Sequence, residues 1–223
     1  MMIDFVQGPL IWIAVGLFLL GLLFQGIQFF AVTRKREPRF LTPEAQKEKA
    51  ASRWFEEIGR WVRRLTRRTV LGTHPFLIVI TSIFHILLFG VPLFLLGHHI
   101  LLDSALGVSL WSLPESISHA MTIVILLCTL FFLGRRLFLA RVRVLTTAYD
   151  YLMLLITMAP FLTGFLAYHQ WFDYRTLIFL HILAGEVMLI VIPFTRLGHM
   201  IFFFLYRFFI DSEYSFVRGT RAW

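Results

Sequence analysis

Long apolar runs separated by short polar stretches dominate the pattern of this 223-residue chain. Five runs approach the roughly 20 residues that a helix rising about 1.5 Å per residue needs to cross about 30 Å of hydrocarbon. The pattern predicts an all-α membrane protein, a bundle of five transmembrane helices in a single integral membrane domain over residues 1–223. The predicted spans are residues 8–32, 75–96, 117–133, 151–168 and 177–205.

Composition agrees with this pattern. The chain is 58% hydrophobic and 15% charged, whereas soluble domains carry about 25% charged residues. The first span follows Asp4 rather than a basic stretch, and no A-x-A site closes it. We therefore predict a retained helix there, not a cleaved signal peptide.

The basic residues sort by loop. All but one of the 21 Lys and Arg residues fall in the loop between spans one and two, the loop between spans three and four, or the stretch from Arg196 onward, and only Arg175 lies on the other side. The positive-inside rule then places the N-terminus outside and the C-terminus in the cytoplasm. The net charge of +8 is thus a topology signal, and no nucleic-acid partner is expected.

The first cytoplasmic loop, residues 33–73, contains the amphipathic stretch "SRWFEEIGRWVRRLTRR". Apolar side chains recur there at helical spacing with arginines between them. One interpretation is a helix lying on anionic lipid headgroups. A second, compatible interpretation is a docking surface for a cytoplasmic subunit.

Cysteine usage restricts the redox chemistry. The single cysteine, Cys128, lies inside the third span. One cysteine excludes an internal disulfide, a C-x-x-C-H haem attachment and a self-sufficient iron–sulfur cluster. Any cofactor must therefore be held by histidines or belong to a partner. The eight histidines are His74, His85, His98, His99, His119, His169, His181 and His199.

Two spans carry histidines at spacings that favour one helix face. His181 and His199 are 18 residues apart, which is five turns of an ideal helix and about 27 Å along its axis. His85 and His99 are 14 apart, within about 40° of one face. Because spans two and five are antiparallel, these side chains would form one pair at each of two depths, as two bis-imidazole haems b require. A diiron or zinc site would need carboxylates or thiolates beside the histidines.

The choice between His98 and His99 stays open on geometry. Ideal helical phase favours His99, because His98 lies about 140° away from His85. Pro92 lies between them, and a proline kink changes the phase by tens of degrees.

Several charged residues are candidates for cofactor contacts. Arg196 lies one turn before His199, and Arg135, Arg136, Arg141 and Arg143 belong to the same membrane face. Arginine forks match the carboxylates of haem propionates, and the alternative is that these arginines only set topology. Glu186, deep in the fifth span, is a candidate to bond a ligand imidazole, relay a proton or contact a quinone. Its alternative is a neutral carboxyl bonded to a neighbouring helix.

Several segments resemble the gamma subunit of respiratory nitrate reductase, a five-helix diheme cytochrome b. "RRLFLARVRVLTTAYD" resembles that family's R-R-L-F-x-x-R-V-R-x-x-T-T-x-x-D segment. "LHILAG" and "PFTRLGH" resemble its L-H-x-x-x-G and P-F-S-R-L-x-H, with the same histidine spacing. "LFGVPLFLLGH" and the Phe84–His85 pair resemble the family's second span.

The resemblance implies ligand sets for two haems b. His85 and His199 would hold the haem on the cytoplasmic side, and His181 with His98 the outer one. In place of the family's quinol-oxidising lysine at the start of span three this sequence has His119, and it has no lysine outside the first loop. Only in the alternative of a quinol-oxidising or quinone-reducing subunit would a quinone site lie near the outer haem, around His119, Gly97 and Glu186. The spacing across the second span is three residues longer here than in the family.

The resemblance extends to cytochrome b subunits of the transmembrane redox complexes of sulfate reducers, the Hmc, Tmc and Dsr types, in the prokaryotic cytoplasmic (inner) membrane. Such subunits carry electrons between a periplasmic or membrane donor and a cytoplasmic iron–sulfur subunit. Expected partners are that subunit, other membrane subunits, a periplasmic multihaem cytochrome c, menaquinone and membrane lipid. The alternatives are a quinol-oxidising or quinone-reducing anchor, and a haem-free membrane scaffold or transporter.

The charge asymmetry generates a topology prediction. A reporter fused after Trp223 should report the cytoplasm, and one fused before Met1 should report the outside, because basic loops stay on the cytoplasmic side. Alkaline phosphatase and fluorescent-protein fusions, active on opposite sides of the membrane, measure this directly. The opposite pair of signals would reverse the predicted orientation of both histidine pairs.

Overall fold

A computed structural model describes residues 5–33, 74–108, 111–199 and 202. Helices are the regular secondary structure throughout these ranges. The chain divides into two compact units, one formed by Met1–Glu37 with Leu139–Trp223 and the other by Pro38–Phe138. The amphipathic stretch of the first cytoplasmic loop and the arginines beyond His199 lie outside the described residues. The single-domain organisation stays a prediction.

Five helices in the described residues are long and apolar enough to cross a membrane. This confirms the predicted all-α, multi-pass membrane protein and the number of its spans. The observed spans are Val6–Ala31, Pro75–Phe94, Glu115–Phe138, Ala148–His169 and Tyr174–Phe194.

The first unit contains spans one, four and five. A short π-helical turn, Val6–Leu10, leads into α1 (Ile11–Thr33). The short α5 (Ala140–Arg143) precedes α6 (Ala148–His169) and α7 (Tyr174–Val191). Helices α6 and α7 pack against each other as a hairpin, and α1 packs along α7. Span one therefore takes the fifth span as its main neighbour within this unit.

Side-chain caps fix the starts of α6 and α7. The Asp150 carboxylate accepts hydrogen bonds from the Thr147 main-chain N–H at 2.9 Å and from its hydroxyl at 2.8 Å. Asp173 accepts in the same way from the main chain and the hydroxyl of Thr176. These two bonds, the hydroxyl one foremost, hold the pKa of Asp173 below its usual value. Each cap satisfies N–H groups that a helix start leaves unpaired.

The second unit contains α2 (Pro75–Phe94), α3 (Leu96–Leu106) and α4 (Glu115–Phe138). Helices α2 and α4 pack together, with the rings of Phe84 and Phe132 edge to face at 5.3 Å between centroids. Gly90 brings the two helices close, because a Cβ added there would lie 3.2 Å from the terminal methyl of Met121. The second and third spans thus form a closely packed pair.

The second span breaks near its C-terminal end. Helix α2 passes through Pro92 and ends at Phe94, and Leu95 is extended (φ −76°, ψ 126°) before α3 begins. The freed carbonyl of Phe94 accepts the Leu113 N–H at 2.9 Å, so the break leaves this group satisfied. No continuous helix therefore joins His85 to His98 and His99. The comparison of their helical phases, which assumed such a helix, is wrong.

The fifth span also breaks. Regular α-helix ends at Val191 and gives way to a 3₁₀ turn, Ile192–Phe194. Thr195 is extended (φ −131°, ψ −178°), and a second 3₁₀ turn, Arg196–Gly198, follows. Pro193 lacks the N–H that an α-helix would need at that position. The predicted continuous helix over residues 177–205 is wrong, and so is the five-turn phase argument for His181 and His199.

Candidate functional site

Four histidines share one type of hydrogen bond. In each, Nδ1 lies within 2.8 Å of a main-chain carbonyl oxygen. A carbonyl can only accept, so Nδ1 carries the proton and the ring's lone pair lies on Nε2. The donors and acceptors are His85 with Thr81, His98 with Pro92, His181 with Pro160, and His199 with Arg196.

This arrangement is the one that metal-ligating histidines adopt. A ligand imidazole commonly donates its second ring N–H to a carbonyl, which fixes the tautomer, orients the ring and raises its basicity. The four histidines are also the four that the family resemblance assigns to haem ligation. Their ring chemistry therefore fits the predicted cofactor, although the assignment of each ligand stays a prediction.

The break in the second span builds the orientation of His98. With Leu95 extended, the Pro92 carbonyl loses the helical N–H it would otherwise receive. The His98 ring donates to it instead, at 2.8 Å. One helix further back, His85 donates to the Thr81 carbonyl at 2.7 Å from within the intact part of α2. His85 and His98 are thus both oriented by carbonyls of their own span.

The break in the fifth span also orients His199, here through a carbonyl that accepts the His199 main-chain N–H as well. Its Nδ1 donates to the Arg196 carbonyl at 2.6 Å, across the second 3₁₀ turn. The Thr195 hydroxyl accepts the Leu197 N–H at 3.3 Å and donates to the Val191 carbonyl at 2.9 Å. The Thr195 side chain thereby forms hydrogen bonds with the main chain on both sides of the break that precedes His199.

A neighbouring helix orients His181. Its Nδ1 donates to the Pro160 carbonyl of α6 at 2.8 Å. The ring lies directly over Gly164, where an added Cβ would come within 2.9 Å of both Cε1 and Nδ1. A Cβ atom does not approach other heavy atoms as closely as 2.9 Å without a shift of one of them. Glycine at this position therefore leaves room for the ring as it stands.

His99 differs from its neighbour His98. Its side chain is 2% exposed, and within the described residues neither ring nitrogen has a hydrogen-bond partner. An imidazole buried without partners is costly. This ring is therefore a second candidate to contact a bound group near the end of span two.

Glu186 shows the same property on span five. It is 4% exposed, and both carboxyl oxygens lack a hydrogen-bond partner in the part of the chain that the structure describes. The interpretation of a neutral carboxyl bonded to a neighbouring helix is therefore wrong for these residues. A bound group or water is needed to satisfy it.

Arg196 has protein partners. Its Nη1 lies 3.3 Å from the Asp150 carboxylate, its guanidinium is 5.3 Å from the Tyr149 ring centroid, and its main-chain N–H lies 3.5 Å from the Tyr149 hydroxyl. The side chain is 74% exposed, so the ion pair with Asp150 is open to solvent and weak. The predicted propionate contact would have to share this guanidinium with Asp150.

The remaining predicted residues are spread over both units. Arg135 is half-buried in the last turn of α4, and Arg143 is exposed at the end of α5. His119 is half-buried near the start of α4, in the same unit as the exposed Gly97, whereas Glu186 belongs to the other unit. The described residues contain no cluster of three or more His, Cys, Asp or Glu side chains suited to a metal ion. A haem with two imidazole ligands needs only two histidines, so its site would not form such a cluster.

A protein of Nitratidesulfovibrio vulgaris (strain Hildenborough) is 34% identical to this chain over 224 residues, which cover 98% of the chain and 96% of the relative. The chain belongs to the family of that protein. The relative's name, simply "Protein", states no activity or ligand. No protein-family model and no solved structure matches the chain. Within the family, function must therefore be argued from the site itself.

Two residues that orient His181 were not found by sequence reasoning. Pro160 and Gly164 precede the histidine by 21 and 17 positions, and nothing in their spacing links them to it. The available signal is that a proline and a glycine one turn apart occur in an otherwise apolar span. Their role appears only when α6 and α7 pack together.

Substituting Gly164 tests the role of this contact. Gly164→Ala should displace the His181 ring and lower the haem content from the predicted two to about one per chain, because the added Cβ meets the ring at 2.9 Å. Pyridine haemochrome analysis of the purified chain measures haem content. Alanine is intrinsically better than glycine in a helix by about 1 kcal/mol, so the loss would not come from weaker helix formation.

The matched control is Gly185→Ala on α7, where an added Cβ meets nothing within 4 Å. It should retain the haem content of the unsubstituted chain. Equal haem content in both variants would show that the Gly164 contact does not position a ligand.

Proposed function

We propose that this protein is a diheme cytochrome b that carries electrons across the membrane as a subunit of a respiratory complex. The observation that carries the proposal is the shared Nδ1–H···O=C bond of His85, His98, His181 and His199. Each of these rings is held in the tautomer that offers Nε2 to a metal. Their sequence context resembles a diheme cytochrome b family at all four positions.

The chain's residues supply ligation, orientation and an apolar surround. By the resemblance, His85 and His199 would hold one haem, and His181 with His98 or His99 the other. Bound haem supplies reversible one-electron chemistry, whose potential depends on the axial ligands, their hydrogen bonds and local polarity. The carbonyls of Thr81, Pro92, Pro160 and Arg196 each increase the electron donation of one imidazole by accepting its Nδ1–H.

The arginines and Glu186 would tune the site. Arg196, held against Asp150 and Tyr149, carries a positive charge next to the His199 turn, where a propionate could join the pair. Arg135 and Arg143 belong to the same predicted membrane face. These positive charges would favour the reduced form of a nearby haem, because reduction lowers the positive charge at the iron.

The proposed partners follow from the architecture of the described residues. The described residues offer helices and short connections, with no separate fold to hold a terminal donor or acceptor. We propose a cytoplasmic iron–sulfur subunit on the basic side, with other membrane subunits and a periplasmic multihaem cytochrome c on the outer side. The relative from a sulfate reducer supports the branch of sulfate-reducer transmembrane complexes and a location in the prokaryotic inner membrane.

A second candidate function is quinol oxidation or quinone reduction. The observation that favours it is Glu186, whose buried carboxyl needs a partner from outside the described residues. A menaquinone carbonyl or hydroxyl is a suitable hydrogen-bond partner for such a group. His119 and Gly97 are the further candidate contacts from the sequence resemblance. Menaquinol-dependent reduction of the haems in proteoliposomes distinguishes this function from simple electron conduction.

Haem stoichiometry tests the proposed function. The purified chain should contain two noncovalent haems b and show a b-type α-band in its reduced-minus-oxidised spectrum. His85→Ala or His199→Ala should remove one haem, and His181→Ala the other, because each variant deletes one axial ligand. His74→Ala, which removes an exposed histidine just before α2, should retain both. A chain purified without haem would favour the membrane scaffold or transporter.

Substitutions at His98 and His99 identify the outer ligand. We expect His98→Ala to abolish the outer haem, because its Nδ1 bond to Pro92 matches the other three ligands. His99→Ala should keep the haem but shift its α-band or potential, because the buried ring has no hydrogen-bond partner among the described residues and would contact the bound group. Loss of the haem in His99→Ala with retention in His98→Ala would reverse the two roles.

A further inference from the structure

The first span contacts the fifth at the point where the fifth span breaks. In the unit that contains both, α1 packs against α7 and against the 3₁₀ turn Ile192–Phe194. The Gln25 side-chain amide donates a hydrogen bond to the Pro193 carbonyl at 3.2 Å. A polar side chain in a span of mean hydropathy 2.3 therefore has a specific partner in the break.

Gly21, one turn before Gln25, makes the contact close. A Cβ added at Gly21 would lie 2.7 Å from Cγ and 2.8 Å from Cβ of Pro193, and 3.0 Å from the Phe194 ring. Two helices approach this closely only where one of them lacks a side chain. Gly21 and Gln25 thus both contact Pro193 from α1. Gly21 allows the close approach, and Gln25 donates the hydrogen bond.

Several other hydrogen bonds of the break lie within it. The Val191 carbonyl accepts from the Thr195 hydroxyl, the Thr195 carbonyl from the Gly198 N–H, and the Arg196 carbonyl from His199. These bonds fix the shape of the segment from Val191 to His199. They do not fix its position against the rest of the unit, so that position depends on contacts from outside the segment.

Two groups supply those outside contacts. At the far end of the segment, Tyr149 and Asp150 hold Arg196 through an exposed ion pair and a 3.5 Å main-chain bond. At the near end, Gln25 and Gly21 hold Pro193, which is buried. The Gln25–Pro193 hydrogen bond is partly buried in a span, so water replaces it less readily than it replaces the exposed ion pair.

We propose that Gln25 and Gly21 form a clamp on Pro193 that positions His199 for ligation, with Gln25 as a positioning residue rather than a ligand. The inference rests on the proposed function, since it assigns a role toward the haem that His199 would hold. It gives the first span a function in the redox site, although none of the candidate ligands lies on that span. Rotation or withdrawal of the clamp would move the His199 ring and change its bond to iron.

The test compares Gln25→Leu with Gln28→Leu in the full-length chain, each followed by optical redox titration and low-temperature EPR. Gln28 is exposed on the same helix and is the matched control. Gln25→Leu should shift one haem and leave the other unchanged. The expected size is roughly a five-fold change in that haem's ratio of oxidised to reduced form at a fixed potential, the factor that one net hydrogen bond is worth. Gln28→Leu should match the unsubstituted chain.

A second pair of variants tests the shape of the clamp. Gly21→Ala forces Pro193 to move and should shift the same haem further or release it. Gly26→Ala, where an added Cβ meets nothing within 4 Å, should leave both haems unchanged. If Gly21→Ala behaved as Gly26→Ala does, Gly21 would not belong to the clamp and the proposal would fail.

The background of His199→Ala separates the inference from the proposed function. In that background, Gln25→Leu should not change the remaining haem further, and this result would support the clamp. A shift that persists there would overturn it, because Gln25 would then act on the other haem. Two haems with properties identical in Gln25→Leu and Gln28→Leu would overturn the clamp and leave the diheme function standing. Absence of haem from the unsubstituted chain would overturn the proposed function itself.

Discussion

The constraint on which this structure depends is that hydrocarbon offers no hydrogen bonds to the main chain. A polar main-chain group inside a membrane must find its partner within the protein, at a cost of several kcal/mol if it does not. Continuous helix satisfies this requirement without help from side chains. Spans two and five depart from continuous helix at Leu95 and Thr195, and each departure frees carbonyls that need new donors.

Histidine is well suited to supply such a donor. The freed carbonyl of Pro92 accepts from the His98 ring. The Arg196 carbonyl, which already accepts the His199 main-chain N–H, accepts from the His199 ring as well. The same bond that satisfies the carbonyl fixes the imidazole tautomer and directs Nε2 away from the main chain. At His98, satisfying the broken helix and orienting a candidate metal ligand are therefore one interaction. The breaks are consequently features of the candidate site rather than defects in the bundle.

The candidate residues are distributed over both units. His85, His98 and His99 belong to the unit of spans two and three, and His181, Glu186 and His199 to the unit of spans one, four and five. Each unit prepares its own histidines with its own carbonyls, so the orientation of every ring is set locally. The buried side chains of His99 and Glu186, which have no hydrogen-bond partner among the described residues, mark one position in each unit where polar groups need a partner from elsewhere.

The sequence by itself determined the membrane character, the five spans and the histidines worth testing, because hydrophobic run length and residue chemistry are local properties. It also named Arg196, but it could not show that Asp150 and Tyr149 already hold that side chain. Sequence reasoning predicted ideal helical phase where the chain breaks at Leu95 and Thr195. The hydrogen-bond donors that stabilise each break come from residues several positions away, so a local pattern does not reveal them. The roles of Gly164 and Gln25 were decided only by tertiary structure. Each acts on a residue of another helix, His181 or Pro193, and close packing between helices leaves no periodic signal in either segment.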